Sequence, residues 1–252
     1  MSDERFTSAS NLPAAAADAF AWHERPGALE RLCPPWESLA VARSAGGLRD
    51  GARVHVRQRV GPFSIPWEVE HRDYVEGVQF RDVQLSGPFA KWEHLHRFDV
   101  LGASESRLTD EIAYRLPAGR LGRALAGRRL RAELQRMFRW RHETTRADLA
   151  FAARYAPVRP RRIVVAGGSG LIGRALVPFL RTQGHQVSRL VRRRAAEPDE
   201  ISWDPSKRNL DAAHLEGVDA IVNLSGENVA AGRWTARRRE SILRSRIEAA
   251  ET

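Results

Sequence analysis

The sequence predicts two domains of different fold class, an α+β domain over residues 1–154 and an α/β domain over residues 161–252. Apolar and polar residues alternate with period two between Trp36 and Leu116, which is typical of an antiparallel sheet. After Pro117, apolar residues recur every three or four positions, which predicts a long helix. A short apolar run, a glycine-rich turn and a second helical stretch then follow from Arg161, in the order of a parallel βα unit.

Composition places the chain among globular proteins. It has 252 residues, of which 42% are apolar, enough to build a core. No apolar run approaches the ~20 residues of a membrane-spanning helix, and the acidic N-terminus does not resemble a secretory signal. We therefore expect a cytoplasmic protein. Cys33 is the only cysteine, which excludes an intrachain disulfide and a cysteine-based metal centre.

The net charge of +10 would by itself suggest a polyanionic partner. Only two of the 41 basic residues are lysines, Lys91 and Lys207, and a GC-rich coding sequence produces such an arginine bias without any selection for phosphate contacts. No motif that reads a nucleic-acid groove accompanies the charge. We expect no nucleic-acid partner.

In the first domain an alanine-rich helix is expected at residues 13–25, which starts at a proline and stops at Pro26-Gly27. A second short segment runs to Pro34-Pro35, and strands such as the one carrying Val54 and Val56 follow. The long helix must pack one face on this sheet; that face comprises Leu130, Leu134, Met137 and Phe138.

Aromatic residues of the predicted sheet could line an apolar ligand cavity, or they could form a plain packed core, and the sequence leaves both interpretations open. They are Trp67, Trp92, Phe98 and Tyr114. His94 and His96 lie two apart on a strand and so share a face. Because no third ligand is evident, we interpret them as cavity or core residues and predict no metal site.

Residues 155–160 contain two prolines and no periodicity, and are interpreted as a linker. After it, the strand Arg161–Ala166 leads into three glycines with distinct roles. Gly167 allows the tight turn, Gly170 lets the backbone approach a pyrophosphate, and Gly173 lets the helix lie close to the strand. The spacing predicts dinucleotide binding, with Leu171 and Ile172 part of the binding turn.

The second strand of this domain, predicted at Gln186–Val191, is followed by three arginines at 192–194. An NAD-selective site has an acid at this position, which holds the ribose hydroxyls. Bases here favour the 2′-phosphate of NADP, with Arg192 or Arg193 as its partner, and make NAD the less favoured cofactor. The alternative is that the three arginines form a solvated loop.

A later apolar strand ends in small residues, Asn223, Leu224, Ser225 and Gly226, preceded by Asp219. Ligands of α/β sheets bind at such carboxyl ends of strands. We therefore assign these four residues to the cofactor site as well.

Four segments, GGSGLIG, SWDP, VDAIVNLSGENVAAGRWT and ILRSRIEAAET, resemble the atypical extended short-chain dehydrogenase/reductases described as sugar-nucleotide epimerase-like proteins. The resemblance covers about residues 161–252. It implies a Rossmann-type fold, with the glycines on the phosphates, Arg192 as the basic residue after the strand, and residues 223–226 beside the nicotinamide-side ribose. Residues 3–150 resemble, by element order, the helix-grip (START-like) fold in its SRPBCC, polyketide cyclase-like, branch, a domain that often precedes the reductase domain in this family.

The chain departs from that family in its catalytic residues. The family uses a Tyr-x-x-x-Lys pair, in which the lysine lowers the tyrosine pKa; here no tyrosine follows Tyr155, and Lys207 is the only lysine in this part. We expect a Rossmann domain truncated after its fourth strand, an exposed sheet edge that a partner chain could complete, and no turnover.

Two functions follow as expectations. The first is an NADP-binding epimerase- or reductase-like protein with a small-molecule substrate, fused to a hydrophobic-ligand-binding domain. The alternative is a small hydrophobic-ligand-binding module whose Rossmann segment has only a structural role.

Overall fold

In a computed structural model of the protein, the described residues are 3–37, 39–45, 47–60, 63–155 and 159–252. The chain divides into two compact units, Met1–Ala156 and Pro157–Thr252. Tyr155, at the start of the predicted linker, is still helical, and residues 156–158 of that linker lie outside the described residues.

The first unit contains a seven-stranded antiparallel sheet, two short helices and one long helix. Its elements, in chain order, are β1 (Glu4–Leu12), α1 (Ala16–Glu24), α2 (Ala28–Leu32), β2 (Leu39–Ala45), β3 (Arg53–Val60), β4 (Phe63–Val75), β5 (Gln79–Ser86), β6 (Lys91–Gly102), β7 (Glu105–Arg115) and α3 (Gly119–Tyr155). The strands lie in the order β1-β7-β6-β5-β4-β3-β2. All strands that are neighbours in the sheet are also consecutive in the chain, except β1 and β7.

Alternation of polar and apolar residues along the strands decides which face of the sheet is buried. Strand β6 shows this alternation most clearly, since every second one of its first eight residues is buried: Trp92, His94, His96 and Phe98. Successive side chains of a strand point to opposite faces, so these four share one face. An apolar residue lies at each end of this row and two histidines lie in its middle.

Helix α3 turns a single stripe of side chains to the interior. The buried residues of the stripe recur every three or four positions, as expected for one helix face, and are Leu134, Phe138, His142, Thr145 and Leu149. Asp148, also buried, accepts two hydrogen bonds from the guanidinium of Arg31, of 2.9 and 2.6 Å, and so ties α2 to α3.

The core of this unit consists of two apolar clusters. One cluster contains Phe20, Trp22, Phe80, Phe98 and Leu108, with other residues of α1 and α2. The other contains Phe6, Trp92, Ile112, Tyr114, Leu134 and Phe138, and Trp67 packs against it. His94 and His96 lie between Trp92 and Phe98 on β6, so a polar row separates the two clusters along that strand.

The second unit is a parallel sheet with helices. Its elements are β8 (Arg162–Ala166), α4 (Leu171–Thr182), β9 (Gln186–Val191), β10 (Glu200–Ser202), two short 3-10 turns (Pro205–Lys207 and Ala212–Leu215), β11 (Ala220–Asn223) and α5 (Ala236–Glu251). The strands lie in the order β10-β9-β8-β11, and all pairs are parallel.

The central strand β8 is buried on both faces. Its apolar run places Val164 and Ala166 in one cluster and Ile163 and Val165 in the other. A continuous apolar run is what a strand covered on both faces requires. None of the helices in the described part of the chain is long and apolar enough to cross a membrane.

Candidate cofactor-binding site

The glycine-rich loop lies at the point where the parallel sheet changes direction. From β8 the chain proceeds to β9 and then β10 on one side, whereas β11 pairs with the opposite edge of β8. The loop after β8 and the loop after β11 therefore meet at the carboxyl ends of two adjacent strands. Such a topological switch point is where open α/β sheets bind their ligands.

Two of the three predicted glycines are required by the fold itself. Gly167 has a φ of +76°, and a Cβ there would lie 2.7 Å from the Leu224 carbonyl. At Gly173 a Cβ would lie 2.4 Å from the carbonyl oxygen of Gly167. These glycines let the loop, the end of β11 and the first turn of α4 approach one another closely.

Gly170 differs, because neither its φ of −74° nor its position forbids a small side chain. A Cβ would meet only the Gly167 carbonyl oxygen, at 3.2 Å. Gly170 is the N-cap of α4 and makes no side-chain cap hydrogen bond, and the first turn of the helix carries no acidic residue. The N–H groups of that turn are therefore available to an anion.

Apolar side chains surround this open helix end. Leu171 is 93% exposed and Ile172 is 62% exposed, although both are large and apolar. The sequence placed both in the binding turn, and the structure places them at the helix terminus beside the glycines. A bound ligand here would cover apolar surface as well as anionic groups.

The turn after β11 is held by the side chain of Asn223. Its Oδ1 accepts hydrogen bonds from the Ser225 backbone N–H (3.1 Å) and the Ser225 hydroxyl (2.6 Å), and its Nδ2 donates to the Ala249 carbonyl (3.3 Å). A recess of about 320 Å³ is lined by Asn223, Leu224, Ser225 and Arg246. Gly226 adjoins Arg246, whose guanidinium lies 3.2 Å from where a Cβ would be.

Arg246 is a site residue that sequence reasoning missed. It lies on α5, 20 positions beyond Gly226, among several other arginines of that helix, so nothing in the local pattern distinguishes it. Its Nη1 donates to the Ile242 carbonyl at 2.9 Å. The structure thus adds one positive charge to the recess at the end of β11.

The arginines after β9 have different environments. Arg193 donates two hydrogen bonds to Glu200, of 2.7 and 2.6 Å, and Glu200 also accepts the Ala196 N–H at 3.0 Å. For the exposed Arg192 side chain, no hydrogen bond or ion pair is found within the described ranges. Of the two candidates, Arg192 is the one whose guanidinium is available to a ligand.

Glu200 stabilises the loop that carries these arginines. The hydrogen bonds from Arg193 are the main reason why the pKa of Glu200 falls to about 2, and the Ala196 N–H contributes as well. The carboxylate is therefore ionised at neutral pH and is occupied by protein groups. It does not act as the acid that would receive a ribose hydroxyl.

The four aromatic residues predicted to line a cavity in the first unit do not form one group. Trp92 and Tyr114 lie in the same cluster, with Trp67 packed against it, whereas Phe98 lies in the other cluster. The rings of Trp67 and Trp92 are 5.3 Å apart, edge to face. A surface recess of about 470 Å³ along the β5–β6 hairpin includes Trp92 and Phe89 in its lining.

Six polar side chains form a connected layer between the sheet and α3, which we call the histidine–aspartate layer. Its members are His71, Asp82, His94, His96, Asp110 and His142. Asp82 accepts from His71 (2.7 Å) and lies 3.3 Å from His96. Asp110 lies 2.8 Å from His94 and 2.6 Å from His142.

Burial and pairing together set the charges in this layer. Burial lowers the pKa of His94 to about 4. Burial would also lower the pKa of His96, but the carboxylates of Asp110 and Asp82 outweigh it and raise that pKa to about 9. Burial would raise the pKa of Asp82 and Asp110, yet the histidines hold both well below the usual range.

Residues 163–252 match the family described as NAD dependent epimerase/dehydratase. An epimerase family protein of Mycobacterium bovis is 44% identical over 89 residues, which are 35% of this chain and 30% of that protein. The C-terminal part of the chain is thus related to the epimerase/dehydratase family, and a nicotinamide cofactor, NAD or NADP, is implied for it. The chain spans less than a third of this relative's length.

Solved structures resemble both units. A nucleoside-diphosphate sugar epimerase from Corynebacterium glutamicum is 29% identical with a TM-score of 0.77, covering 97% of this chain and 49% of that one. The Zhui aromatase/cyclase from a Streptomyces species is 13% identical with a TM-score of 0.50, covering 62% of this chain and 99% of that one. This second likeness shows the START-like fold alone.

Proposed function

We propose that this chain binds NADP in its C-terminal unit, as the cofactor-binding part of an epimerase or oxidoreductase of the extended short-chain dehydrogenase type. The observation that carries the proposal is the glycine loop at the switch point of the parallel sheet, with an uncapped helix terminus directly behind it.

The residues present fit a dinucleotide. The N–H groups of the first turn of α4 would bind the pyrophosphate, and Gly170 leaves room for it. Asn223, Leu224 and Ser225 would lie along the nicotinamide-side ribose, at the recess that also contains Arg246. Apart from Arg246, which lies on α5, these groups lie at the carboxyl ends of β8 and β11.

Selectivity for NADP is proposed to depend on Arg192. It directly follows β9, it is exposed, and it is not engaged by Glu200 as Arg193 is. A free guanidinium suits the 2′-phosphate, which it can bind through two hydrogen bonds. Two adjacent residues would thus have different roles: Arg192 binds the ligand, and Arg193 stabilises the loop.

The cofactor supplies hydride transfer at its nicotinamide ring. The proposed role of the chain's own residues is to bind and orient it. Within the 252 residues no tyrosine follows Tyr155, so the Tyr-x-x-x-Lys pair of the resembled family has no counterpart in the second unit. The residues that we propose for this unit are therefore those of cofactor binding alone.

Thermal-shift titration of the purified chain with NADPH and NADH tests the proposal. A ligand at 100 times its Kd stabilises the folded state by about 2.7 kcal/mol. We expect NADPH to raise the melting temperature at lower concentration than NADH does. Absence of a shift with either nucleotide would contradict the proposal.

Three variants show which residues are responsible. Gly170→Val should abolish the NADPH shift, because the side chain occupies the pyrophosphate position. Arg192→Gln should remove the preference for NADPH over NADH while leaving the melting temperature of the free protein unchanged. Arg193→Gln is the matched control: it should lower the melting temperature and keep the preference.

A second candidate function concerns the first unit and rests on the recess of about 470 Å³ beside Phe89 and Trp92. A START-like unit with such a recess could bind a small hydrophobic ligand. Titration with an apolar fluorescent probe should then show saturable binding by the folded chain, weakened in Phe89→Ala. Probe binding that begins only on heat unfolding would contradict it.

We also propose that a partner chain completes the parallel sheet at strand β11. Strand β11 is an edge strand, and three large apolar residues near it are exposed by about half or more: Ile221, Leu243 and Ile247. Edges and apolar surfaces of this kind favour association. Sedimentation velocity should show association that Leu243→Glu weakens, whereas a monomer at all concentrations would contradict association of the chain with itself.

A further inference from the structure

We propose that Asp82, His94 and His96 form a binding site for a divalent transition metal, with Zn²⁺ as the expected ion. The site lies in the first unit and is independent of the cofactor site. The sequence shows only the two histidines together, and no metal site was predicted because no third ligand was evident. The structure supplies that third ligand from the neighbouring strand.

Sheet register brings the three residues together. Asp82 of β5 is the direct cross-strand partner of His94 on β6. His96 lies two residues further along β6 and therefore on the same face. Two adjacent strands thus present one carboxylate and two imidazoles to one point, without any contribution from a loop.

The distances between ligand atoms suit a metal. Asp82 Oδ2 lies 3.3 Å from His96 Nε2 and 3.8 Å from His94 Nδ1, and one ligand atom of each residue lies within 4.8 Å of the others. In a tetrahedral zinc site with ligands at about 2.1 Å, neighbouring ligand atoms are roughly 3.4 Å apart. Small side-chain movements would therefore complete the geometry.

Asp110 forms a hydrogen bond with His94 at the ring nitrogen that faces away from the proposed metal, and it lies close to the corresponding nitrogen of His96 without a hydrogen bond to it. Its Oδ1 lies 2.8 Å from His94 Nε2 and 2.8 Å from His96 Nδ1, and its Oδ2 lies 2.6 Å from His142 Nε2. A carboxylate behind a ligating histidine fixes the ring orientation and increases its basicity. Here Asp110 does so for His94, one of the two proposed histidine ligands.

The ligand set indicates which kind of metal binds and how many coordination positions the protein fills. Two imidazoles and one carboxylate suit zinc and other first-row metals, not Mg²⁺ or Ca²⁺, which prefer oxygen alone. The three ligands leave a fourth position open, as in catalytic zinc sites. The Asp82 side chain is 22% exposed, whereas those of His94 and His96 are at most 8% exposed, so solvent reaches the site from the Asp82 side.

Cobalt(II) titration of the untagged, EDTA-treated full chain tests the proposal. We expect one equivalent of Co²⁺ to bind, with the visible absorption typical of four- or five-coordinate cobalt, and Zn²⁺ to displace it. His96→Gln should lose this absorption. His55→Gln should retain it, because His55 lies on β3 between the buried Val54 and Val56 and so on the opposite face. Absorption that is missing in the natural chain, or unchanged in His96→Gln, would overturn the proposal.

Two further measurements keep the test decisive if His96→Gln fails to fold. Asp110→Asn retains the three ligands and should weaken Co²⁺ binding about 10- to 100-fold, as is usual for a residue that positions a ligand. X-ray absorption of the cobalt-loaded natural chain should show imidazole scattering. An unchanged affinity in a folded Asp110→Asn, or a spectrum without imidazole, would contradict the assignment.

Discussion

At the residue scale, the three glycines of the loop after β8 serve different purposes. Gly167 and Gly173 are required by close backbone contacts, whereas Gly170 has an ordinary extended conformation. The sequence pattern assigned a role to each glycine, and the structure adds the contacts at two of them: Gly167 lies against Leu224, 57 positions away in the chain, and Gly173 lies against Gly167. The difference can be measured, since stability and ligand binding should respond at different glycines.

Gly173→Ala is expected to destabilise the second unit by about 1–3 kcal/mol, the usual effect of overpacking. The added Cβ would lie 2.4 Å from the Gly167 carbonyl oxygen, so the helix would have to move. Gly170→Ala is the control, with less than about 1 kcal/mol expected. Urea unfolding of both variants provides the comparison, and equal losses would contradict the assignment of roles.

Glu200 should make the second unit sensitive to acid. Because its pKa is lowered from 4.5 to about 2 in the folded state, its contribution to stability is complete above pH 4.5 and declines as the pH falls toward 2. The melting temperatures of the natural chain and Glu200→Gln should therefore differ most near neutral pH and converge below pH 4.5. Glu216→Gln, at an exposed position, should show no such convergence, and parallel curves for Glu200→Gln would contradict the prediction.

At the element scale, the buried pair of Arg31 and Asp148 joins α2 to α3. Removing one partner of a buried ion pair typically costs about 3–5 kcal/mol, because the other charge remains buried. Asp148→Ala should thus lower stability by about 3 kcal/mol, the lower end of that range, because the charged Arg31 side chain that remains is 20% exposed. Glu133→Ala, which breaks the exposed Arg129–Glu133 pair on the same helix, should cost no more than about 0.5 kcal/mol. Similar losses in the two variants, measured by denaturant unfolding, would contradict this difference.

The bounds of the elements show how much a local sequence pattern can predict. Strand β9 has the predicted bounds, Gln186–Val191, because local apolar patterning and a flanking glycine define it. Helix α4, predicted from Arg174, begins at Leu171, since the glycine turn itself forms its first residues. Asp82 was not identified as a neighbour of His94 because their contact depends on the register between two strands, which no local pattern specifies.

The arginines after β9 show the same limit for the cofactor site. The sequence could place Arg192 and Arg193 after a strand, but it gave no reason to choose between them. The choice depends on Glu200, which lies on the adjacent strand and occupies Arg193. Arg246 was missed for a similar reason, since its place in the recess arises from the packing of α5 beside β11.

At the scale of the whole molecule, many arginines act as ion-pair partners within the fold. Arg115 pairs with Asp3, Arg181 and Arg189 pair with Asp199, and Arg193 pairs with Glu200. These side chains are occupied by carboxylates of the protein. Ion pairs involve positive and negative charges alike, so they leave the net charge of +10 unchanged.

Each unit has apolar clusters of its own, so we expect the full chain to unfold in two thermal transitions. NADPH should raise the transition of the second unit alone, because a ligand stabilises only the unit whose folded state binds it. Asp148→Ala should lower the other transition alone. Differential scanning calorimetry of the natural chain and this variant, each with and without NADPH, assigns both transitions. A single transition that responds to both changes would show that the two units unfold as one.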